Sequence, residues 1–310
     1  MVSLRQLRCF VAVYEERSFT AAAEREAATQ SGVSQHVRQL EGELGAPLFE
    51  RLGRDVRPTP TGDRYYDECI GILRRLDAAT RDASVKATER VGRIRVGLMP
   101  SFTRCALAPA LLRFTEEAPK VEIQIVEAYS AVLTERVRAG ELDFAVVPAF
   151  EGATGLTLTH LTRDRELLVA RAAKGRKNHL RPIRLKDIAP LKIVVPGTAN
   201  TRRRTIETYF AVNKIEVARR MELDAMFGTL DFVGHSDWVA ILPSVILVND
   251  RAGTRFEIRP IAQPPLHSDF VLIEPARQEM NDGARLFADL LGAETKRIGK
   301  LWDESIAAAR

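Results

Sequence analysis

Apolar residues recur at helical spacing through the first forty residues of the chain. Val33, Val37 and Leu40 follow one another at intervals of four and three residues, which places them on one face of a helix. Thr29 stands immediately before this stretch and is a typical N-cap residue. Together with the alanine-rich stretch ahead of it, the pattern predicts a helix, a short turn and a second helix over residues 19–38.

Polar side chains cover the opposite face of the second predicted helix. All of them can exchange hydrogen bonds with bases or phosphates, which is the layout of a helix-turn-helix whose second helix enters a major groove. The candidate DNA contacts on this face are Gln30, Ser31, Ser34, Gln35 and Arg38.

Two short strands are predicted after this helix, on either side of a turn at Gly53. Arg51 and Arg54 lie on the first strand and in the turn, where the arginines of a wing contact the sugar-phosphate backbone. The alternative is that both side chains are solvated surface groups.

A long helix is predicted from Thr61 to about residue 88. Tyr66, Ile70 and Leu73 form an apolar stripe along it, and the sequence offers this helix no neighbour of its own. A stripe in that position predicts pairing with the same helix of a second copy. The alternative is a solvated rod.

From residue 91 the pattern changes to alternating strands and helices. Three strands between residues 94 and 147 alternate with two helices, and this order predicts a parallel sheet covered by helices. A second set of strands and helices follows over residues 167–242. A strand at residues 270–273 and a helix at residues 283–291 return to the first set, so the predicted fold class is α/β with two lobes.

The N-terminal motifs resemble those of the LysR-type transcriptional regulators. The resemblance is close over the first sixty or so residues and looser, but collinear, over the rest. Two positions depart from the family pattern: Gly32 lies in the first turn of the recognition helix, and Gln35 stands where many members carry arginine. The matching stretches are residues 4–13, 18–23, 30–34, 40–41, 44–51 and 59–62.

The resemblance implies a chain of three parts. The first is a winged helix-turn-helix DNA-binding domain, the second a linker and dimerisation helix, and the third a two-lobed α/β effector-binding domain of periplasmic-binding-protein type. Their expected bounds are residues 1–60, 61–90 and 91–310, with residues 91–162 and 266–310 in the first lobe and residues 163–265 in the second.

The function implied by the resemblance is that of a sequence-specific transcription regulator, which is not an enzyme. Its expected partners are double-stranded DNA, at an interrupted palindromic operator, and a small organic effector bound between the two lobes. The regulator would act as a homodimer that doubles into a homotetramer. Thr20, at the start of the helix-turn-helix, joins the candidate DNA contacts.

Candidate effector contacts lie beyond the carboxyl ends of the predicted strands, where open α/β sheets bind ligands against helix N-termini. A carboxylate would be favoured there by exposed N–H groups, by the helix dipoles and by the charge of Arg202, unless the arginine run at residues 202–204 is a solvated helix face. The candidates are Ser101, Phe102, Thr103, Pro148, Ala149, Phe150, Asn200, Thr201, Arg202 and Met226.

Most of these candidates have a structural alternative. Ser101, Thr103 and Asn200 could serve only as helix caps. Phe150 and Met226 could belong to the core instead of lining a cleft.

Net charge adds little to the case for DNA binding. The 310 residues carry 46 Lys and Arg against 41 Asp and Glu, a net charge of +5. Residues 1–90 hold fourteen of each kind, so the predicted DNA-binding part is formally neutral. The placement of its arginines, rather than their number, is what indicates phosphate contacts.

Other motifs that would point to a different class are missing from the sequence. It lacks a glycine-rich phosphate loop, a Gly-x-Ser-x-Gly elbow and a His-Glu-x-x-His pair, so no catalytic residue, metal site or cofactor is predicted. Cys9, Cys69 and Cys105 are scattered and are interpreted as buried thiols rather than as a redox sensor. No apolar run is long enough to cross a membrane and the start lacks a signal-peptide pattern, so a cytoplasmic location is predicted.

Two other classes were weighed against this interpretation. A solute-binding or enzymatic α/β protein with an incidental N-terminal domain is disfavoured, since the signal peptide and catalytic groups are missing. A structural nucleoid-type DNA binder would have no use for two lobes.

Overall fold

A computed structural model describes residues 1–52, 55–84, 92–173, 175, 178–198 and 200–309. The chain forms two units. The first consists of Met1–Ala87, Ala153–Thr157 and Pro275–Glu279, and the second of Thr88–Gly152, Leu158–Glu274 and Met280–Arg310. Over the described residues, no helix combines the length and the apolar character that a membrane span requires.

The first unit is a winged helix-turn-helix, which confirms the predicted architecture. Its two strands pair antiparallel, with Phe49 opposite Pro58. The elements are α1 (Leu4–Glu16), α2 (Phe19–Arg25), α3 (Gln30–Leu44), β1 (Phe49–Leu52), β2 (Asp55–Pro58) and α4 (Pro60–Ser84).

The N-cap predicted at Thr29 is present, and Ser18 caps α2 in the same way. The hydroxyl of Ser18 accepts a hydrogen bond from the N–H of Ala21 at 3.3 Å, and that of Thr29 accepts from the N–H of Gly32 at 3.1 Å. Each cap satisfies one of the four N–H groups that a helix start leaves unpaired. The starts of α2 and α3 are therefore both fixed by local chemistry.

An aromatic core orients α3 within the first unit. Phe10 is fully buried, with its ring centroid 5.5 Å from that of Phe49 and 5.4 Å from that of Tyr65. The apolar stripe of α3 predicted from the sequence packs into the same cluster. Because the stripe is held on one side, the opposite face of α3 is presented to solvent.

The Thr59 to Gly62 motif joins the wing to α4. The Thr59 hydroxyl donates to the carbonyl of Pro47 at 2.8 Å and accepts from the N–H of Gly62 at 3.0 Å. A Cβ on Gly62 would lie 2.3 Å from the carbonyl oxygen of Leu48, so no larger residue fits without moving the backbone. Glycine is required here because the backbone of Leu48 lies so close. Its φ is outside the left-handed region and does not itself require glycine.

The apolar stripe of α4 packs inside its own unit, contrary to the premise that this helix has no neighbour. Tyr66 and Leu73 belong to the buried core of the helix-turn-helix, and the Tyr66 ring stacks on Tyr14 at a centroid distance of 4.0 Å. The premise was wrong because the neighbour, α1, is distant in sequence. Ile72, which is 45% exposed, is the large apolar residue that α4 leaves in solvent among its described side chains.

The second unit is built on one sheet of nine strands in the described residues. The order is β4-β3-β5-β11-β6-β9-β7-β8, and β10 pairs with β6. Its strands are β3 (Gly92–Leu98), β4 (Val121–Glu127), β5 (Phe144–Pro148), β6 (Leu156–Arg171), β7 (Leu191–Val195), β8 (Val217–Glu222), β9 (Val239–Pro243), β10 (Phe256–Pro260) and β11 (His267–Pro275).

Helices cover this sheet, as the alternating pattern predicted. Two parallel groups, β4-β3-β5 and β9-β7-β8, are joined through the antiparallel strands β11 and β6. The helices are α5 (Pro100–Thr103), α6 (Leu107–Glu117), α7 (Ser130–Arg138), α8 (Thr201–Asn213), α9 (Met226–His235), α10 (Ser244–Leu247) and α11 (Asp282–Ala308). This arrangement confirms the two-lobed α/β fold class; the residue bounds assigned to the lobes stay a prediction.

The last helix is longer than the sequence pattern predicted. The expected end was Leu291, just before Gly292, but α11 continues to Ala308. Glycine in a helix interior costs about 0.5–1 kcal/mol relative to alanine. Ile298, Trp302 and Ile306 repeat at intervals of four residues and are all buried, so apolar burial beyond the glycine outweighs that cost.

β6 carries two buried carboxylates on one face, Asp164 and Glu166. Asp164 accepts hydrogen bonds from the hydroxyl of Ser244 at 2.5 Å and from the N–H of Val245 at 2.9 Å. Burial raises the pKa of Asp164 to about 6, although both hydrogen bonds oppose that shift. These contacts fasten the start of α10 to the middle of β6.

Candidate functional site

The exposed face of α3 presents four of the five predicted side chains. Gln30, Ser31, Gln35 and Arg38 are exposed, as expected for residues opposite the buried stripe. Ser34 is only 5% exposed, because it lies between Val33 and Val37 on the packed side of the helix. Its burial argues against the base contact expected of it.

Other parts of the predicted DNA surface are partly outside the described residues. Thr20 is exposed near the start of α2, and Arg57 is exposed on β2. Arg54 and the turn at Gly53 lie outside the described part of the chain, as does the side chain of Arg51. For the wing, the structure therefore gives the pairing of its strands and the position of Arg57.

In the second unit, two buried serines follow neighbouring parallel strands. Leu98 at the end of β3 is in register with Glu127 at the end of β4, so Ser101 and Ser130 lie beyond the same edge of the sheet. Each serine is 2% exposed, and each hydroxyl is buried without a hydrogen-bond partner among the described residues. A buried polar group without a partner costs about 1–3 kcal/mol, so such groups indicate a missing ligand or water.

Ser130 was missed in the sequence analysis, although a signal for it exists. It begins α7 directly after a strand, in the way that Ser101 begins α5 after Pro100. The loop after this strand supplied none of the effector candidates predicted from the sequence. A search of the residues that follow the carboxyl end of every predicted strand would have found Ser130.

The neighbours of Ser101 take different roles from those predicted. Phe102 is fully buried, with its ring centroid 5.0 Å from that of Phe270, so its side chain is part of the core. The Thr103 hydroxyl donates to the carboxylate of Glu127 and to the carbonyl of Pro100. Of this loop, only Ser101 has a free hydroxyl.

The loop after β5 contributes less polarity than the serine loops. Pro148 is buried at the end of β5, Ala149 is exposed, and Phe150 is half-buried. The N–H of Ala149 donates to the carbonyl of Asp269 at 2.8 Å, which ties the loop to β11. This hydrogen bond holds the start of the loop in place, and none of these three residues has a polar side chain to offer a ligand.

The loop after β7 contains a helix cap and a third unpartnered hydroxyl. Asn200 is the N-cap of α8 and accepts a hydrogen bond from the N–H of Arg202 at 3.1 Å. The Thr201 hydroxyl is buried without a partner among the described residues. Asn200 thus fills the capping role that was its structural alternative, whereas Thr201 resembles the two serines.

A small hollow lies between Tyr129, which follows β4, and residues that belong to β7 and β9 or follow β7 and β8. Its volume is about 20 Å³, which is room for about one water molecule. An effector of several atoms therefore requires this cleft to open. The hollow is lined by Tyr129, Val194, Val195, Pro196, Asn200, Arg202, Leu223, Met226, Thr229, Ala240, Ile241 and Leu242.

Carboxylates flank the mouth of this cleft. Burial raises the pKa of Tyr129, and the nearby charges of Asp224 and Glu127 raise it further. Asp224 accepts from the N–H of Gly197 at 2.8 Å, and a Cβ on Gly197 would lie 2.0 Å from the other oxygen of that carboxylate. Gly197 therefore lets the loop after β7 close on Asp224.

Arg202, the predicted anion clamp, is committed to a buried ion pair. Its Nε and Nη2 donate to the two carboxylate oxygens of Glu166 at 3.0 and 2.6 Å, and Nη2 also donates to the carbonyl of Ile241 at 3.0 Å. Ser268 donates to the same carboxylate at 2.5 Å. Because the guanidinium is paired in place with a buried carboxylate, its charge is already compensated, and the effector contact expected of Arg202 stays a prediction.

The arginine run as a whole is neither a clamp nor a uniformly solvated face. Arg203 donates to the carbonyl of Pro196 at 2.7 Å and forms ion pairs with Glu207 and Glu222, while Arg204 is exposed. The run therefore passes from a buried pair to solvent within one helical turn.

The cysteines carry no reactive thiolate. All three are free and buried, and burial raises the pKa of Cys69 to about 12. A thiol with a raised pKa is a poor nucleophile at neutral pH. In the described part of the chain, no group of three or more His, Cys, Asp or Glu could hold a metal ion.

A winged helix-turn-helix followed by a two-lobed α/β unit defines a class of ligand-responsive DNA-binding proteins. Two family models divide the chain between them: the bacterial regulatory helix-turn-helix protein of the lysR family matches residues 4–63, and the LysR substrate binding domain matches residues 87–296. The chain belongs to the LysR family, as the N-terminal motifs predicted. It is a DNA-binding transcription regulator with a C-terminal effector-binding domain, and not an enzyme.

Known proteins of similar sequence and structure agree with this assignment. The transcriptional regulator BenM of Acinetobacter baylyi is 30% identical over 254 residues, which cover 78% of this chain and 81% of BenM. A hydrogen peroxide-bound OxyR mutant of Corynebacterium glutamicum has a TM-score of 0.61 at 20% identity, covering 98% of this chain and 97% of its own. Full-length CbnR complexed with its target DNA has a TM-score of 0.53 at 21% identity, covering 94% and 99%. The likeness to OxyR shows a shared fold.

The burial of Arg202 yields a stability prediction, and Arg204, two residues further along the same helix, provides a matched control. Arg202→Ala leaves the Glu166 carboxylate buried and unpaired, a change that costs about 3–5 kcal/mol. Arg204→Ala removes an exposed arginine from the same helix and should change stability by less than about 0.5 kcal/mol. The measurement is the free energy of unfolding of the full chain in urea. Equal stability of the two variants would contradict the buried ion pair and would leave Arg202 available as a free cation.

Proposed function

We propose that the chain recognises an interrupted palindromic operator in cytoplasmic DNA and that an effector bound in the cleft of the second unit modulates this recognition. The observation that carries the DNA half is the exposed polar face of α3, set opposite a buried stripe. The cytoplasmic location follows from the DNA target. CbnR has the same fold and was solved with its target DNA, which supports the DNA half of the proposal.

Base readout is assigned to the exposed residues near the start of α3. Glutamine and arginine can make paired hydrogen bonds to adenine and guanine edges in the major groove, which gives Gln30, Gln35 and Arg38 that role. Thr20 and Ser31 are proposed as phosphate contacts, and so are Arg51 and Arg54 of the wing. Ser34 is left out of this surface because it is buried.

Dimerisation is proposed through the part of α4 that its own unit does not cover. Ile72 is exposed, and Leu76 lies one turn further along the same helix. A palindromic operator requires two recognition helices related by two-fold symmetry, so the dimer is the DNA-binding form. Doubling into a tetramer is proposed from the family resemblance alone.

The effector site is proposed at the three unpartnered hydroxyls of Ser101, Ser130 and Thr201. The N-termini of α7 and α8 point partial positive charge at a ligand there, which favours a carboxylate. Arg202 does not assist, since it is paired with Glu166, and Glu127 and Asp224 oppose further negative charge. A small molecule with one carboxylate, or a neutral polar one, fits this balance better than a dianion.

The DNA proposal is tested by two glutamines of the same helix. Gln30→Ala should lose a base contact worth about 1–3 kcal/mol, which lowers operator affinity without a matching change on random DNA. Gln39→Ala is the control, because Gln39 is exposed but lies two and a half turns along α3. Fluorescence anisotropy at fixed salt, on an operator and on a random duplex of equal length, measures the ratio. The base-reading role is excluded if the ratio for Gln30→Ala equals that of the parent chain.

The effector proposal is tested by the stability of Ser101→Ala and Ser130→Ala in the full chain. Without ligand, each variant should be as stable as the parent or more stable, because it removes a buried hydroxyl that has no partner. In a thermal-shift screen of small monocarboxylates, dicarboxylates and neutral analogues, both variants should lose the stabilisation that a hit gives the parent. Ser305→Ala, on α11, serves as the control. Hits that stabilise both cleft variants fully would place the effector elsewhere.

A further inference from the structure

The first unit contains a buried carboxylate that the helix-turn-helix core does not explain. The Glu15 side chain, near the end of α1, is 1% exposed and forms an ion pair with Arg25 of α2. Its carboxylate also accepts a hydrogen bond from the hydroxyl of Tyr66 at 2.8 Å. The third donor is Nη1 of Arg277, 3.4 Å away, in the segment Pro275–Glu279.

A glycine lies directly against this carboxylate. Gly155 has a φ of +79°, and a Cβ built on it would lie 2.8 Å from the carboxyl carbon of Glu15 and 3.1 Å from each oxygen. The carbonyl of Gly155 accepts a hydrogen bond from the N–H of Ala276 at 2.8 Å, which joins the segments Ala153–Thr157 and Pro275–Glu279. The two segments together form a seat for Glu15, and we name them the Glu15 seat.

The linker helix also contacts this seat. Nη2 of Arg74, on α4, donates to the hydroxyl of Thr157 at 3.1 Å. Two helices, α1 and α4, thus meet the Glu15 seat through charged or polar side chains, and α2 is tied to it through the ion pair of Arg25 with Glu15. Buried charges of this kind are sensitive to position, because removing one partner leaves another charge buried and unpaired.

The two segments of the seat are the ends of the strands that hold the cleft ion pair. The segment Ala153–Thr157 runs into β6, which carries Glu166, and β11, which carries Ser268, ends in the segment Pro275–Glu279. Along β6, Thr157 and Glu166 are nine residues apart, or about 30 Å at the rise of a strand. Glu166 holds Arg202 in α8, beside the unpartnered hydroxyl of Thr201.

We infer that the Glu15 seat is the element through which the cleft and the DNA-binding helices communicate, an inference that rests on the effector site proposed above. Opening of the cleft shifts α8 and, through the Glu166–Arg202 pair, the strands β6 and β11. Their ends carry Gly155 and Arg277, so the shift changes how the seat holds Glu15 and Arg25. Arg25 in turn fixes α2, the first helix of the helix-turn-helix.

Thermodynamic reciprocity allows a test that needs no effector. If the two sites are coupled, DNA must change the affinity of the cleft for its effector by the same factor by which the effector changes DNA affinity, so DNA binding must shift the conformational equilibrium of the cleft. The probe is the operator duplex, added to the full chain, and the readout is amide hydrogen exchange at residues 101–103, 129–131 and 200–202. In the parent chain, the DNA should change exchange at these amides about 5-fold or more, the low end of measured couplings.

Two glycines provide matched variants for this measurement. Gly155→Ala places a Cβ against the Glu15 carboxylate, whereas Gly152→Ala carries the same backbone cost, at a φ of +84°, with nothing within 4 Å of the new atom. Gly152→Ala should keep the DNA-dependent change, and Gly155→Ala should lose it. Arg277→Met is the second variant, which removes the charge contact without adding atoms beside Glu15, and it should also lose the change.

The outcomes separate this inference from the proposed function. Operator affinity is measured on each variant first, so a chain that does not bind the operator contradicts the proposed function. A parent chain that binds the operator with unchanged exchange at the cleft overturns the inference alone. The inference is also overturned if Gly155→Ala and Arg277→Met both keep the full DNA-dependent change in amide exchange at the cleft. This holds even if the cleft binds an effector.

Discussion

The buried ion pair between Glu166 and Arg202 is the contact on which the second unit depends. It joins β6 to the start of α8, and through Ser268 and the carbonyl of Ile241 it also involves β11 and β9. Such a pair is weak evidence for stability, because two charges had to be desolvated to form it. What it supplies is position: four elements around the cleft meet at one set of directional hydrogen bonds.

The same pair determines the electrostatics of the cleft. With Arg202 paired, the N-termini of α7 and α8 supply the favourable field for an anion, and two carboxylates stand near Tyr129. The cleft is closed to a volume of about 20 Å³, and three hydroxyls in the loops beyond the strand ends have no partner. Buried hydroxyls without a partner are a cost that a ligand can remove, and a ligand that does so in one lobe arrangement shifts the equilibrium toward that arrangement.

Local chemistry in the sequence was sufficient to predict the DNA-binding half. Thr29 and the stripe of Val33, Val37 and Leu40 act within a few residues of each other, so spacing alone predicted the helix, its cap and its exposed face. Ser34 was misplaced because the buried stripe of α3 is wider than three residues. Long-range contacts could not be predicted in this way: Arg202 finds its partner 36 residues away, and the α4 stripe is covered by α1.

Operator selection measures the central claim most directly. The full chain is offered a pool of random-sequence duplexes, and bound DNA is recovered and sequenced. The account predicts enrichment of an interrupted palindrome whose half-sites are one helical turn, or a multiple of it, apart. A variant with Gln30, Gln35 and Arg38 all replaced by alanine should bind weakly and enrich no such site. The account is contradicted if the chain enriches no palindrome, or if this variant enriches the same one.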